Sequence, residues 1–165
     1  MRNAQARPLV GLVLLTALVA VGCSSASVDV GKTITVGRVT TGWFDAGIVA
    51  GQNKLVPSAT FSITNTGTDR LSGLQVFTVF RMVGEQEELG SSLVVLRGKD
   101  ALEPSGTSKP ITVRANWGFT SPQPRAQMLA NAYFKDARME IFAKWGSAPF
   151  VRIAQMQVAR QLLTQ

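Results

Sequence analysis

The residue whose position points most directly to chemistry is Cys23, the only cysteine among 165 residues. It follows a basic start with Arg2 and Arg7, an uncharged apolar run over Leu9–Val21, and the small residue Gly22. That run is too short to span a bilayer comfortably, and the three-part layout is that of an export signal. We therefore expect the chain to be exported and to be cleaved beside Cys23.

The run Ala20-Val21-Gly22-Cys23 resembles the lipobox of bacterial lipoproteins. In that family the cysteine thiol receives a diacylglycerol, and the signal is then cut between the positions that match Gly22 and Cys23. The resemblance covers residues 1–25 and implies a signal peptide over 1–22, membrane attachment through a lipid on Cys23, and sorting to the outer membrane, facing the periplasm. The alternative is an ordinary secretory signal or an uncleaved anchor in which Cys23 stands by chance.

Length and composition limit the number of domains and the kinds of partner that the rest of the chain can have. The 143 residues that follow residue 22 are enough for one domain, and we expect a tether over 23–32 and one domain over 33–165. The net charge of +7 falls to +5 once Arg2 and Arg7 are removed. Because the basic residues are spread singly, we expect no nucleic-acid partner and a solvated, slightly basic surface.

The sequence contains no histidine, which excludes the main acid–base group of hydrolases. Ser-His-Asp and Cys-His arrangements need an imidazole to accept a proton near neutral pH. A zinc site would lack its usual ligands as well, because the single cysteine precedes the domain. We therefore expect neither a metal nor another cofactor.

Carboxylates are the groups left for acid–base chemistry. Glu85, Glu87 and Glu88 cluster in a turn bearing glycine and glutamine, and Asp100 and Glu103 lie close in sequence. A glycosidase needs two carboxylates held at a fixed separation in a cleft, whereas acids in a turn of this kind are typically solvated. The prediction is a protein without catalytic residues, which is not an enzyme.

The pair Trp43-Phe44 begins the segment most suited to binding a partner. Adjacent side chains of an extended strand point to opposite sides, so one of the two rings is expected to face solvent. Together with Trp117 and Phe119 they form a candidate surface for a protein or a sugar ring. The alternative places Trp43 or Phe44 in the core as a lid on the end of the fold.

Short runs of alternating apolar residues must position these groups. Leu74–Val83 is apolar on both faces, which is typical of a strand covered on both sides. Ala46–Pro57 is expected to be a long loop, and Pro122–Ala132 is the one expected helix. The predicted strands are Thr33–Thr41, Ala59–Asn65, Leu74–Val83, Ser91–Arg97, Ile111–Trp117, Ala137–Trp145 and Phe150–Leu162. This order predicts an all-β, antiparallel β-sandwich.

The turns carry a second resemblance. A strand ending in Asn65-Thr66-Gly67, a long apolar strand after it, and a later Pro104-Ser105-Gly106 turn are similar to those of envelope immunoglobulin-like domains. The resemblance implies an immunoglobulin-like sandwich of about seven strands with one short helix. We expect a lipoprotein that presents this domain to another cell-envelope protein. The alternative is a glycan or small ligand bound by exposed aromatic side chains.

Overall fold

The computed structural model describes residues 28–163. The predicted signal peptide over 1–22, the cleavage point between Gly22 and Cys23, and the lipid site at Cys23 lie outside the described residues. Between residues 28 and 163, no helix combines the length and the apolar character needed to cross a membrane.

The described residues form an all-β fold with nine strands and two short α-helices. Apolar residues at every second position produce these strands, because successive side chains of a strand point to opposite faces. The elements in chain order are α1 Val30–Thr33, β1 Ile34–Val49, β2 Gln52–Asn65, β3 Leu74–Met82, β4 Glu88–Leu96, a 3₁₀ turn Gly98–Asp100, β5 Ile111–Arg114, β6 Phe119–Ser121, α2 Arg125–Ala130, β7 Ala137–Lys144, β8 Val151–Gln157 and β9 Leu162–Leu163.

The strands make two sheets that enclose one core. Sheet 1 has the order β5-β2-β1-β9, with β6 also beside β2, and sheet 2 has the order β4-β3-β7-β8. All neighbours are antiparallel except β9, which runs parallel to β1. Between the sheets lie fully buried side chains from both, among them Trp43, Phe61 and Ile63 from sheet 1 and Phe80, Met139 and Ile141 from sheet 2. The predicted all-β sandwich is confirmed, with nine strands rather than about seven.

The long loop predicted over Ala46–Pro57 is wrong. Strand β1 continues to Val49, the chain turns at residues 50 and 51, and β2 begins at Gln52. Pro57 itself lies within β2, opposite Trp43 of β1. A register shift between Asp45 and Ile48 bends the strand without ending it, so the glycine there marks a bulge rather than a loop.

The predicted helix is present but covers only Arg125–Ala130. The prolines at 122 and 124 precede its first turn, and Asn131 at its end has an extended backbone. The last predicted strand, Phe150–Leu162, is interrupted, since β8 ends at Gln157 and β9 is a separate short strand on the other sheet. The hairpin of β7 and β8, which turns at residues 146–149, is confirmed.

The folded domain begins earlier than the tether predicted over 23–32. Val30 is 2% exposed and packs in the core, and the Asp29 side chain accepts a hydrogen bond from the Gly31 backbone N–H. This cap stabilises the single turn of α1 before β1 begins. Residues 28–32, which the prediction assigned to the tether, therefore belong to the folded domain.

Candidate functional site

The two adjacent aromatic residues point to opposite sides of sheet 1, as their alternation predicts. Trp43 is fully buried, with its ring centroid 4.5 Å from that of Phe134. Phe44 lies on the outer side, where the Arg114 guanidinium is 3.5 Å from its ring centroid. Trp43 is therefore part of the core and does not offer a ring face to a partner, so its place in the predicted binding surface is corrected.

Phe119 is half-buried and covers one side of Trp43. Its ring stacks on Phe134 at 4.4 Å and lies 5.8 Å from the Trp43 ring. Phe119 and Phe134 line a cavity of about 170 Å³, together with Met128 and Tyr133. Cavities that hold organic ligands are commonly about 300–1,000 Å³, so this one suits a single inserted apolar side chain.

Trp117 is the one residue of the predicted surface whose ring is largely exposed, at 67%. Its backbone N–H donates a hydrogen bond of 2.8 Å to the Leu89 carbonyl, which ties sheet 1 to β4 of sheet 2. The Lys54 ammonium lies 5.5 Å from the ring centroid and donates to the Asn116 carbonyl at 3.0 Å. The ring is thus exposed to solvent while the backbone beneath it is held on both sides.

Gly118 fixes the position of Trp117 from the other direction. Its backbone lies against β2, where an added Cβ would clash with the Leu55 carbonyl oxygen and come within 2.9 Å of the Val56 Cα. Only glycine permits this close approach, after which Phe119 pairs with Leu55 at the start of β6. The segment is consequently rigid at the point where the exposed ring begins.

A groove of about 410 Å³ lies beside the Trp117 ring, and we call it the acidic groove. Met82 and Leu89 give it apolar lining, and Glu85, Glu87 and Glu88 supply carboxylates. Glu85 is paired with Lys135 at 2.6 Å, and Glu88 with Arg81 at 2.8 Å. An indole face beside carboxylates suits a partner segment that carries both apolar and cationic side chains.

The other predicted carboxylates are paired with basic residues of their own. Asp100 lies 3.0 Å from the Lys109 ammonium, and Glu103 lies 2.5 Å from Arg70. The hydrogen bond from Lys109 lowers the pKa of Asp100 below its ordinary value, which is opposite to what a general acid needs. Nowhere in residues 28–163 do three or more acidic or cysteine side chains converge as metal ligands.

Sequence reasoning missed an ionic cluster on the outer side of sheet 2. Glu140 is 7% exposed, with Arg81 at 2.6 Å, Arg152 at 3.0 Å and Arg138 at 3.9 Å from its carboxylate. Burial would raise the pKa of Glu140, but the hydrogen bonds from Arg152 and Arg81 outweigh it and lower the pKa. The alternation in β7 places Arg138 with Glu140, yet only the pairing with β3 and β8 brings the other two arginines there.

No protein-family model matches this chain, and no curated protein matches it. Among solved structures, the Northeast Structural Genomics Consortium target SoR45 is 15% identical, with a TM-score of 0.47, covering 79% of this chain and 89% of its own. A Bordetella pertussis protein provisionally named ApaA is 19% identical, with a TM-score of 0.43, covering 76% of this chain and 92% of its own.

Proposed function

We propose that this chain is a non-catalytic lipoprotein of the bacterial envelope that uses the acidic groove and Trp117 to bind another envelope protein. The observation that carries the proposal is the Trp117 ring, which is 67% exposed on a backbone fixed by Gly118 and Leu89. Exposed tryptophans on rigid segments are frequent anchors of protein interfaces. The ring borders a groove lined by Met82 and Leu89, so one partner segment could cover the indole and the groove together.

The chemistry of the groove specifies the partner further. Glu87 and Glu88 stand at its rim, and both are exposed. A lysine or arginine of the partner would meet these carboxylates while an apolar neighbour covers the indole. We therefore propose a partner segment with alternating basic and apolar residues.

The anchoring part of the proposal depends on the sequence of residues 1–25. The lipobox-like run supports acylation of Cys23, and Ser24 after it supports the periplasmic face of the outer membrane. Residues 23–27 reach at most about 17 Å when fully extended. A domain on so short a link stays beside the bilayer, which raises its effective concentration toward a membrane-bound partner.

The strand order supports an immunoglobulin-like type of sandwich as part of the same proposal. In that fold, strands C, F and G form one sheet while A, B and E lie in the other. Here β3, β7 and β8 are neighbours in one sheet, and β1, β2 and β5 are neighbours in the other. Such domains commonly serve as interaction modules, in keeping with a role in recruitment rather than catalysis.

Site-specific photo-cross-linking in cells tests the interface. A photoreactive aromatic residue at Trp117 is expected to give one defined protein adduct. The same residue at Phe44, which lies on the outer side of sheet 1, is the matched control and is expected to give none. Adducts of equal yield at both positions, or none at Trp117, would overturn the proposed interface.

The anchor is tested separately by metabolic labelling with palmitate. The wild-type protein is expected to carry the label and to sediment with membranes, whereas Cys23→Ser is expected to lose both properties. A Cys23→Ser protein that stays labelled would show that the lipid is attached elsewhere.

Glycan binding is a second candidate, which the exposed indole beside carboxylates favours. Sugars stack on aromatic faces and donate hydrogen bonds to acidic side chains. The arrangement would use Trp117 alone, since Trp43 is buried in the core. Titration with peptidoglycan fragments distinguishes the two functions, because sugar stacking on Trp117 would change the tryptophan fluorescence, and Trp117→Ala would abolish that change.

A further inference from the structure

The outer face of sheet 2 combines an apolar patch with basic side chains. We define the outer face of sheet 2 as the outward side chains of its four strands, of which Val79 and Glu140 are buried beneath their neighbours. These side chains are Phe77, Val79 and Arg81 of β3, Glu88, Leu93 and Val95 of β4, Arg138, Glu140, Phe142 and Lys144 of β7, and Phe150 and Arg152 beside or in β8. The sequence predicts a strand covered on both sides for Leu74–Val83. Only the inner side of β3 faces the core, so the outer side needs another explanation.

The apolar part of this face is continuous across the sheet. The Phe77 ring lies 6.5 Å from that of Phe142 and 5.9 Å from that of Phe150. Leu93 pairs with Phe77 across the β3–β4 ladder and is 54% exposed, and Phe150 is 40% exposed. Isolated apolar residues on a surface are common, but a connected row of this kind marks a contact surface.

The charges around this apolar row are mostly positive. Arg81, Arg138 and Arg152 surround the buried Glu140, and Arg81 also pairs with Glu88 of β4 at 2.8 Å. The Lys144 ammonium lies 5.4 Å from the Phe150 ring centroid, at the end of the row. The face therefore carries an excess of basic groups next to aromatic rings, which is complementary to a surface that is apolar inside and anionic outside.

The chain enters the domain next to this face. Helix α1 packs against β8 and β7, and a Cβ on Gly31 would lie 3.2 Å from Val151. Residue 28 therefore stands near the edge strand of sheet 2, whose neighbour Phe150 belongs to the outer face. Because four residues separate it from Cys23, a lipid on that cysteine would hold this edge within about 17 Å of the bilayer.

We propose that the outer face of sheet 2 lies flat on an anionic phospholipid surface. Phe77, Phe142, Phe150 and Leu93 would enter the headgroup region, and Lys144 and Arg152, whose side chain is 53% exposed, would meet lipid phosphates. The argument from the entry point rests on the proposed anchor, whereas the argument from charge and apolar residues does not. Docked in this way, the domain leaves Trp117, which lies in the connection between β5 and β6 and not on this face, open to a protein partner.

Vesicle sedimentation with the mature chain carrying Cys23→Ser tests this face without the lipid. Binding is expected to vesicles in which about a third of the lipids are phosphatidylglycerol, and to weaken as salt rises, because part of it is electrostatic. The combined substitutions Leu93→Ser, Phe150→Ser and Lys144→Gln are expected to lower the partition coefficient at least about tenfold. All three positions lie outside the core, so the fold should persist, which circular dichroism checks.

The matched control carries Ile48→Ser, Val49→Ser and Arg114→Gln, which change the same chemistry on sheet 1 and its far hairpin. It is expected to bind vesicles as the parent does. Equal loss in both variants, or no binding by the parent, would overturn the proposal. Sedimentation equilibrium without vesicles tests whether a second copy of the chain covers the face instead. Self-association that changes in the variant of sheet 2 but not in the control would assign the face to such a dimer. A failure of palmitate labelling at Cys23 would count against the anchor only.

Discussion

The two sheets share one core but differ in what they turn outward. On sheet 1, the Thr60 and Thr112 hydroxyls are 2.9 Å apart, and the Ser58 hydroxyl donates to the Val113 carbonyl at 3.0 Å. Its one outward ring, Phe44, is covered by Arg114. On sheet 2, by contrast, aromatic and aliphatic side chains form a row, and the acid beside them is buried among arginines.

This contrast shows that β-propensity and exposure are separate properties. Threonine and phenylalanine both favour strands, so both outer faces fold equally well as sheet. The exposed apolar side chains of sheet 1, such as Ile48 and Val49, lie in its far hairpin, whereas those of sheet 2 form a connected row across the strands. We take the connected row as a sign of function rather than of folding.

The largest effect is expected from Glu140→Gln on the outer face of sheet 2. The substitution removes the anion that Arg81 and Arg152 share, and it is expected to lower the free energy of unfolding by about 3 kcal/mol. Urea denaturation measures this value. Glu103→Gln is the control, because that carboxylate is solvated beside Arg70 and should cost less than about 1 kcal/mol. Equal losses of unfolding free energy in the two variants would mean that burial of the Glu140 cluster adds nothing to stability.

Acid should separate the wild type from Glu140→Gln. The pKa of Glu140 is lowered in the folded state, so its ionised form stabilises the fold above the ordinary value of 4.5. That stabilisation is lost as the pH falls through the lowered folded-state pKa. Between neutral pH and about pH 3, the urea midpoint of the wild type is expected to fall more than that of Glu140→Gln. Parallel curves would contradict the assignment, since the aspartates with lowered pKa values are common to both proteins.

A smaller effect is expected from Thr112→Val on the outer side of sheet 1. The change removes the hydroxyl pair with Thr60, and it should cost at most about 1 kcal/mol because water replaces the lost partner. Differential scanning calorimetry would detect this as a slightly lower melting temperature. A large loss would show that the hydroxyl row is structural and not simply hydrated.

The smallest change of stability is expected from Leu93→Thr, which gives sheet 2 the chemistry of sheet 1. The side chain is more than half exposed, so the free energy of unfolding should change by less than about 0.5 kcal/mol. Retention on a hydrophobic-interaction column should nevertheless fall. Thr112→Val provides the reverse change on sheet 1. If neither substitution alters retention, neither outer face determines how the protein adheres to the column.

Alternation in the sequence predicted a good part of this architecture. Ala137–Trp145 and the first part of Phe150–Leu162, up to Gln157, flank four turn residues and form the β7–β8 hairpin, and Trp43 and Phe44 do point to opposite sides. These features depend on neighbours along the chain, where the period of two is decisive.

Features that depend on distant strands could not be predicted. Glycines before Pro57 looked like a loop, because a bulged strand and a loop share the same residues. Arg81, Glu140 and Arg152 come from three strands, so only the register brings them together. Trp117 was singled out, but its rigidity depends on Gly118 meeting Leu55, a contact that no local pattern reveals.

The segment that crosses from β8 to β9 also determines what proteolytic damage would do to the protein. Gln161 accepts from the Trp43 amide through its carbonyl and donates through its side chain to the Thr41 carbonyl, so it covers a margin of β1 that would otherwise be unpaired. Arg160, just before it, is a residue after which trypsin-like proteases cut, but its guanidinium is paired with Asp136 at 2.6 Å and donates to the Phe134 carbonyl at 2.7 Å, so a protease reaches it only when this segment opens. A nick after Arg160 would release this cover, and damaged copies would then add to one another edge to edge and polymerise.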